Sequence, residues 1–400
     1  MNVPTLLSPR GEYQTIHDQA FRFAKERLHP LLARMDDEDW YPPHLMQELA
    51  EAGYLGITAP PELGGAGLDV FASGMVAEAM SYWNLNANCI WGPHENLCLN
   101  NLLRNGNEEQ KARYIPKLCR AELIGALALT EPGAGSDALG SMRTTARRDG
   151  NDYVLNGRKI FISNGPIADV LLVYAKTAPE KGAKGISAFI VEKGMPGFGV
   201  AQELKKMGWR GCPTGELVFD ECRVPATNLV GGENRGVGVV MSGLDIERAF
   251  FAVPIVAAAQ RCLDLAIDYA VQREQFGKPI AEQQMVQAML ADLYTEIEAA
   301  RLLAYRALLA CNALETGAGG TGEIHKLTAA ALLKAGSVHM LAVDTAVQIH
   351  GGMGFMWETE VNRHYRNAKV SEIGAGTREI RRLIIAGELL REARLQPFAR

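Results

Sequence analysis

Tyr153-Val-Leu-Asn-Gly-Arg-Lys-Ile-Phe-Ile162 is the stretch that decides the fold. Residues suited to strands lie on both sides of Asn156-Gly157. Asn-Gly readily accepts the positive φ angles of a type I′ turn, so the spacing predicts a β-hairpin. Further strands are expected at Val170 to Tyr174, Ile186 to Val191 and Leu217 to Phe219, separated by Gly and Pro. No helix intervenes, which points to an antiparallel β block rather than βαβ units. Before it, Ile16, Ala20 and Phe23, then Leu45, Leu49 and Ala52, recur at helical spacing. Gly53, Pro60-Pro61 and Gly64-Gly65 punctuate that region. After it, Ala/Leu-rich stretches near 237–272, 281–315, 322–350 and 373–393 predict an antiparallel bundle. The expected fold is mainly α with a central antiparallel β domain. Its parts are an N-terminal helical domain (1–124), a middle β domain (125–235) and a C-terminal four-helix bundle (236–400).

Of the 400 residues, 48% are hydrophobic and 22% charged, as in a soluble globular chain of two or three domains. A formal net charge of -5 supplies no cationic field for nucleic acid or an anionic membrane. An anionic ligand must therefore meet a few local cations. The cysteines at 89, 98, 119, 212, 222, 262 and 311 are odd in number and form no C-x-x-C pair. That pattern argues against a disulfide framework or thiolate metal site and fits a reducing compartment. The start lacks a basic segment followed by an apolar run, and no stretch of 18 consecutive apolar residues occurs. A cytoplasmic chain without membrane insertion is expected.

Gly317-Ala-Gly-Gly-Thr-Gly322 matches G-x-G-x-x-G, but a helix precedes it and no βαβ unit surrounds it. It reads as a linker, not as a nicotinamide site. Leu129-Thr-Glu-Pro-Gly-Ala-Gly-Ser-Asp137 lies at the passage from helical to β sequence. Its glycines at 133 and 135 let backbone approach a ligand, while Thr130, Ser136 and Asp137 offer polar contacts. This segment resembles the first signature of the acyl-CoA dehydrogenase family. The likeness continues in order through Phe161-Ile-Ser-Asn-Gly165, Gly208-Trp-Arg-Gly211, Gly215-Glu-Leu-Val-Phe219, Arg273-Glu-Gln-Phe-Gly-Lys278, Gln348-Ile-His-Gly-Gly352 and Glu372-Ile-Gly-Ala-Gly-Thr377. Asn96-Leu-Cys98 and Met241-Ser-Gly-Leu-Asp245 further resemble the isovaleryl-CoA (short branched-chain) branch.

The resemblance implies FAD-dependent α,β-dehydrogenation of an acyl-CoA thioester, with electron transfer flavoprotein as acceptor and a homotetrameric assembly. Many relatives carry the catalytic glutamate where this chain has Ala375, whereas the isovaleryl branch places it at the position of Glu247. A base for a weakly acidic Cα–H works best with a pKa near the operating pH, and burial raises a carboxylate toward it. By resemblance, Leu127, Leu129, Thr130, Gly135, Ser136, Phe161, Ile162 and Ser163 flank the flavin. Arg273, Phe276, Gln284, Gln348, Gly351 and Gly352 serve its pyrophosphate and adenosine end across a subunit interface, with Thr377 and Glu379 completing the site. Ser136, Lys184, Asp245 and Arg248 are expected to hold coenzyme A, and the Ala375–Gly376 backbone to meet the thioester oxygen. Gly374 would leave room for acyl branching, with Phe251 and Pro93 as bulkier departures in the same pocket. The alternatives are an oxidase of the same fold using dioxygen and a non-catalytic acyl-CoA-binding homologue; retention of Glu247 weighs against the second.

Overall fold

The computed structural model describes residues 11–314 and 318–395. The first ten residues, where no targeting signal is expected, and Gly317 of the glycine motif lie outside that range. The first block holds α1 (Glu12–Phe23), α2 (Leu32–Glu38), α3 (Leu45–Glu51), α4 (Val70–Trp83), α5 (Leu85–Gly92), α6 (Asn101–Asn105) and α7 (Glu108–Cys119). Local chemistry starts the longer ones. Asp69 accepts from the Ala72 N–H to cap α4, and Asn107 with Gln110 forms a capping box on α7.

The middle block holds β1 (Gly125–Ala128), β2 (Thr145–Asp149), β3 (Asp152–Ser163), β4 (Val170–Lys176), β5 (Ile186–Glu192), β6 (Phe198–Glu203), β7 (Thr214–Pro225) and β8 (Leu229–Val230). The sheet runs β6-β7-β3-β2-β4-β5-β8, with β1 alongside β4. Most pairings are antiparallel. β1 with β4, and Thr145 of β2 with Lys176 of β4, pair in parallel because β1 arrives from α7 rather than through a hairpin.

The hairpin expected at Asn156-Gly157 is absent. β3 runs unbroken through both residues and pairs with β7, with a register shift between Leu155 and Gly157. The actual turn comes earlier, where Asp149 pairs with Asp152 across Gly150-Asn151. Gly150 takes φ 60° there, as a two-residue hairpin loop demands. Gly157 serves close packing instead. A Cβ on it would stand 2.4 Å from Thr144 Oγ1 and 2.7 Å from Thr144 Cα.

The last block holds α8 (Gly236–Gln272), the short hairpin β9 (Glu274–Gln275) and β10 (Lys278–Pro279), α9 (Gln284–Cys311), α10 (Gly322–His350), α11 (Glu360–Ala368) and α12 (Arg378–Leu395). By length and hydropathy α8 and the helical stretch 322–355 could each cross a bilayer, yet 72% and 56% of their most apolar windows are buried within the fold. Both are core helices. Phe71, Met75 and Met80 of α4 share one continuous core with Ile246, Phe250 and Val256 of α8 and Ala335 of α10. The first and last blocks are therefore fused rather than merely adjacent. All seven cysteines are buried and free. Gly319 and Gly320 of the glycine motif press against Met241 of α8, and a Cβ on Gly319 would stand 2.9 Å from the Met241 carbonyl oxygen. The motif is a tight helix connection.

The contact at Gly157 sets an expected outcome. Gly157→Ala should destabilise the protein by about 1–3 kcal/mol, the usual range for overpacking. Denaturant unfolding of the variant would measure it. An unchanged midpoint would show that β2 yields freely to the added methyl.

Candidate active site

α8 carries Glu247 to the place where the first block and the 371–377 loop meet it. Opposite stands Asn96, on a widened π-helical turn from Pro93 to Asn100 that joins α5 to α6. Pro93 opens this turn and has no N–H to offer, and such turns often re-aim side chains at functional sites. His94 Nδ1 accepts the Gly125 N–H at 3.0 Å, and Nε2 donates to the Leu118 carbonyl at 3.1 Å. Glu95 accepts the Gly56 and Ile57 N–H groups, each at 2.7 Å. The turn is thus pinned on both flanks.

Asn96 Nδ2 donates to Glu247 Oε2 in a short contact. Asn100 Nδ2 donates to Asn96 Oδ1 at 3.2 Å, which turns the amide donor of Asn96 toward the carboxylate. Glu247 keeps a partly open edge but is set among Phe250, Phe251 and neighbouring core residues. Burial pushes its carboxyl up to about 8, against the opposing pull of the Asn96 hydrogen bond and the Arg248 charge.

Asp245 lies wholly inside the fold. It is 0% exposed, and Arg248, His325 and the Gly320 N–H occupy its oxygens at 3.0, 2.6 and 2.7 Å. These bonds make it an anchor for the α9–α10 connection. Arg248 in turn donates from Nε to the Ala375 carbonyl at 3.2 Å. Ala375 stands at φ 55° and Gly376 at φ 99°, so a non-glycine residue holds a left-handed backbone where Arg248 grips it. The room expected above Gly374 is bounded. A Cβ there would be 3.4 Å from Phe251 Cε1, and Trp209 packs edge-on against that ring with centroids 5.3 Å apart.

Nearby, the 129–137 segment lies against the end of β3. The Ile160 N–H donates to the Thr130 carbonyl at 2.9 Å. Lys159, fully buried, donates to the Leu129 carbonyl at 3.0 Å and to Glu131 Oε1 at 2.8 Å. Burial lowers the Lys159 ammonium to about 8, with Glu131 pulling the other way. Glu131 also accepts the Arg143 and Thr144 N–H groups at 2.7 and 3.0 Å. Leu129 and Thr130 are thereby fastened to the end of β3, the strand that carries Phe161 and Ser163. Phe161 is 66% exposed at φ 61°, a large aromatic held outward in a rarely used conformation. Cβ atoms on Gly133 and Gly135 would meet nothing within 4 Å, which leaves their backbone open to approach, and Ser136 is exposed beside them. An outward aromatic, a hydroxyl and open glycine backbone fit the edge of a flavin. Ile162 does not join them: its side chain is buried in the sheet core, because successive strand residues face opposite ways.

The remaining predicted residues lie elsewhere. Arg273, Phe276, Gln284, Gln348, Gly351 and Gly352 are all exposed, and Phe276 is 96% exposed at the tip of the β9–β10 hairpin. From Glu247 to Arg273, α8 climbs about 39 Å at roughly 1.5 Å per residue. A group held at Glu247 is therefore far from the same chain's Arg273. Thr377 Oγ1 accepts the Ile380 N–H at 3.3 Å at the start of α12. Exposed Glu379 pairs with Arg378 at 2.7 Å, and Lys184 is exposed on the sheet side. Asn96 as partner of the base and Lys159 as anchor of the signature segment went unseen in the sequence, since nothing local signals a buried amide or lysine.

The chain matches the family models described as acyl-CoA dehydrogenase N-terminal, middle and C-terminal domains over residues 10–122, 126–222 and 234–390. It is 44% identical to the mitochondrial isovaleryl-CoA dehydrogenase of Solanum tuberosum, covering 93% of this chain and 89% of that one. Among solved structures it is similar to butyryl-CoA dehydrogenase from Megasphaera elsdenii, with TM-score 0.91, 34% identity and coverage of 98% and 100%. A chain of the structure described as the electron transferring flavoprotein of Acidaminococcus fermentans is 38% identical, with TM-score 0.91 and coverage of 95% and 98%.

Asn96 favours the charged form of Glu247, so its loss should raise that carboxyl further above about 8. Infrared titration of the protonated carboxyl band in Asn96→Ala, against the unsubstituted protein, reads the midpoint directly. A midpoint that stays put or falls would mean the amide exerts no control over the proton.

Proposed function

The chain belongs to the acyl-CoA dehydrogenase family, and we propose that it desaturates a short or branched acyl-CoA at Cα–Cβ with Glu247 as base. The observation that carries this reading is a carboxyl raised to about 8, next in sequence to Arg248, which holds the left-handed Ala375 turn by its carbonyl. A base near that value is strong enough to take a Cα proton and still ionises within the neutral to mildly alkaline range. Bound FAD supplies the hydride acceptor. Phe161, Ser163 and the Leu127–Thr130 segment would hold its ring, by the fit described above. Asn96 holds Glu247 in place, and the proton taken from Cα resides on its carboxylate. The Ala375 N–H receives the thioester oxygen as enolate-like charge grows there.

The rise of about 39 Å along α8 from Glu247 to Arg273 supports an assembly in which one chain's hairpin reaches a neighbour's cofactor. Phe276, Met285, Phe355 and Leu383 are each large, apolar and exposed, in keeping with further contacts in a homotetramer. Electron transfer flavoprotein is the proposed acceptor, supported by family membership and by the Acidaminococcus fermentans likeness.

With FAD bound, acyl-CoA should bleach the flavin, and at limiting substrate the rate should rise with pH through about 8 as Glu247 loses its proton. Glu247→Gln should keep FAD and bind acyl-CoA but reduce the flavin roughly 10²–10⁴-fold more slowly. Adding Ala375→Glu should recover part of the rate. Stopped-flow absorbance checks all of this, and near-normal reduction by Glu247→Gln would move the base elsewhere.

The acyl end of the pocket is set by Phe251, one turn beyond the base and against Gly374. Its ring leaves less space for branching at Cβ than Gly374 alone would. Phe251→Leu should raise the kcat/KM ratio of isovaleryl-CoA to butyryl-CoA by roughly 10-fold or more, as a few methylenes of room permit. An unchanged ratio in a thioester panel would take Phe251 out of the specificity pocket.

A further inference from the structure

Arg381 is the least expected charge in the molecule. It lies on the first turn of α12, is 0% exposed, and has no ion-pair partner among the described residues. Its guanidinium instead meets backbone carbonyls. One terminal nitrogen donates to the Gly374 carbonyl in a short contact, and the other to Ser371 at 2.9 Å and Leu332 at 3.4 Å. Glu372 and Glu379 act on it only without direct contact, and a buried arginine held mainly by backbone carbonyls is costly to desolvate. Desolvation lowers it only to about 10, which leaves it cationic at neutral pH.

What that cation touches is the peptide leading into Ala375. Among the described residues no peptide bond is cis, so the Gly374 carbonyl and the Ala375 N–H point in opposite directions across one plane. With the carbonyl fastened to Arg381, the N–H must face away from α12. Among the described residues nothing accepts it. The next carbonyl, that of Ala375, is held by Arg248 from α8. Two arginines from different helices therefore clamp successive carbonyls of a turn whose alanine is held at φ 55°, a conformation unstable on its own. A donor bonded at its own carbonyl also becomes more polarised, since hydrogen bonds along a chain reinforce one another.

We propose that Arg381 is a positioning residue that aims and polarises the Ala375 N–H as hydrogen-bond donor to the thioester carbonyl oxygen. This rests on the acyl-CoA dehydrogenase reading. Arg381 touches neither substrate nor cofactor; it acts through one peptide plane. The role suits a chain with Ala375 at this position, because the backbone donor must be held without help from a larger side chain there.

The test uses the holoprotein with carbonyl-¹³C crotonyl-CoA, a product-like thioester, and isotope-edited infrared spectroscopy of the bound carbonyl. The unsubstituted protein should shift that band to lower frequency than in free crotonyl-CoA. Arg381→Met should keep FAD and crotonyl-CoA binding, lose most of the shift, and reduce its flavin with acyl-CoA on the order of 10²-fold more slowly, as after loss of one such donor. Arg381→Lys keeps the charge but cannot fork across two carbonyls, and should fall between. An unshifted band position relative to the unsubstituted protein, in either variant that retains FAD, overturns the inference. If Arg381→Met fails to take up FAD, Arg381→Lys decides by the same criterion. Failure of the unsubstituted holoprotein to bleach with any acyl-CoA would instead sink the functional reading itself.

Discussion

Everything in this structure is arranged around keeping one carboxylate largely out of water. Glu247 is raised to about 8 only because α8, the Pro93–Asn100 turn and the 371–377 loop close on it together. None of the three could do so alone. α8 contributes Phe250 and Phe251, the turn contributes a single oriented amide, and the loop contributes backbone. The shared core between α4 and α8 is what prevents the turn from drifting away from the helix. Separate, loosely docked domains would let water in and return the carboxyl to its ordinary range.

Around that centre, buried charges hold positions more than they add stability. Asp245, Arg248 and His325 bind the α9–α10 connection and the Ala375 carbonyl to α8. Lys159 and Glu131 tie the signature segment to β3. Desolvating such pairs offsets much of their attraction, so an apolar pair of equal volume would often be as stable. What it would lack is direction. The Leu129 carbonyl and the Arg143 and Thr144 N–H groups all converge on the Lys159–Glu131 pair, which fixes the loop that carries Thr130 and the open glycines.

Much of this was legible in the sequence. The helical, β and helical order follows from periodicity, and family resemblance nominates Glu247 and Phe161 for the site. Other readings failed for identifiable reasons. Asn156-Gly157 has hairpin chemistry, but a glycine can also admit a crossing backbone, and Thr144 of the approach to β2 is that backbone. Resemblance alone places Asp245 at coenzyme A, and its contacts with His325 and Gly320, 75 to 80 positions away, have no local signal. Ile162 fell with its neighbours Phe161 and Ser163 until strand alternation separated them. Asn96 and Arg381 carry no local signature, since what defines them is burial against distant backbone and side chains.

The widened turn at Pro93–Asn100 also says how this site can change. A π-helical turn holds about one residue more than the α-helical turn it replaces, and closing it would rotate everything beyond by roughly 100°. Asn96 would swing from the carboxylate into the core, and His94 and Glu95 would lose their grips on the Gly125 and the Gly56–Ile57 backbone. Side chains along this segment are open to gradual replacement, but its length is not. A single-codon deletion here would uncouple three anchors at once, so lineages that retain the chemistry should preserve the residue count between Leu85 and Asn105 more strictly than the identities within it.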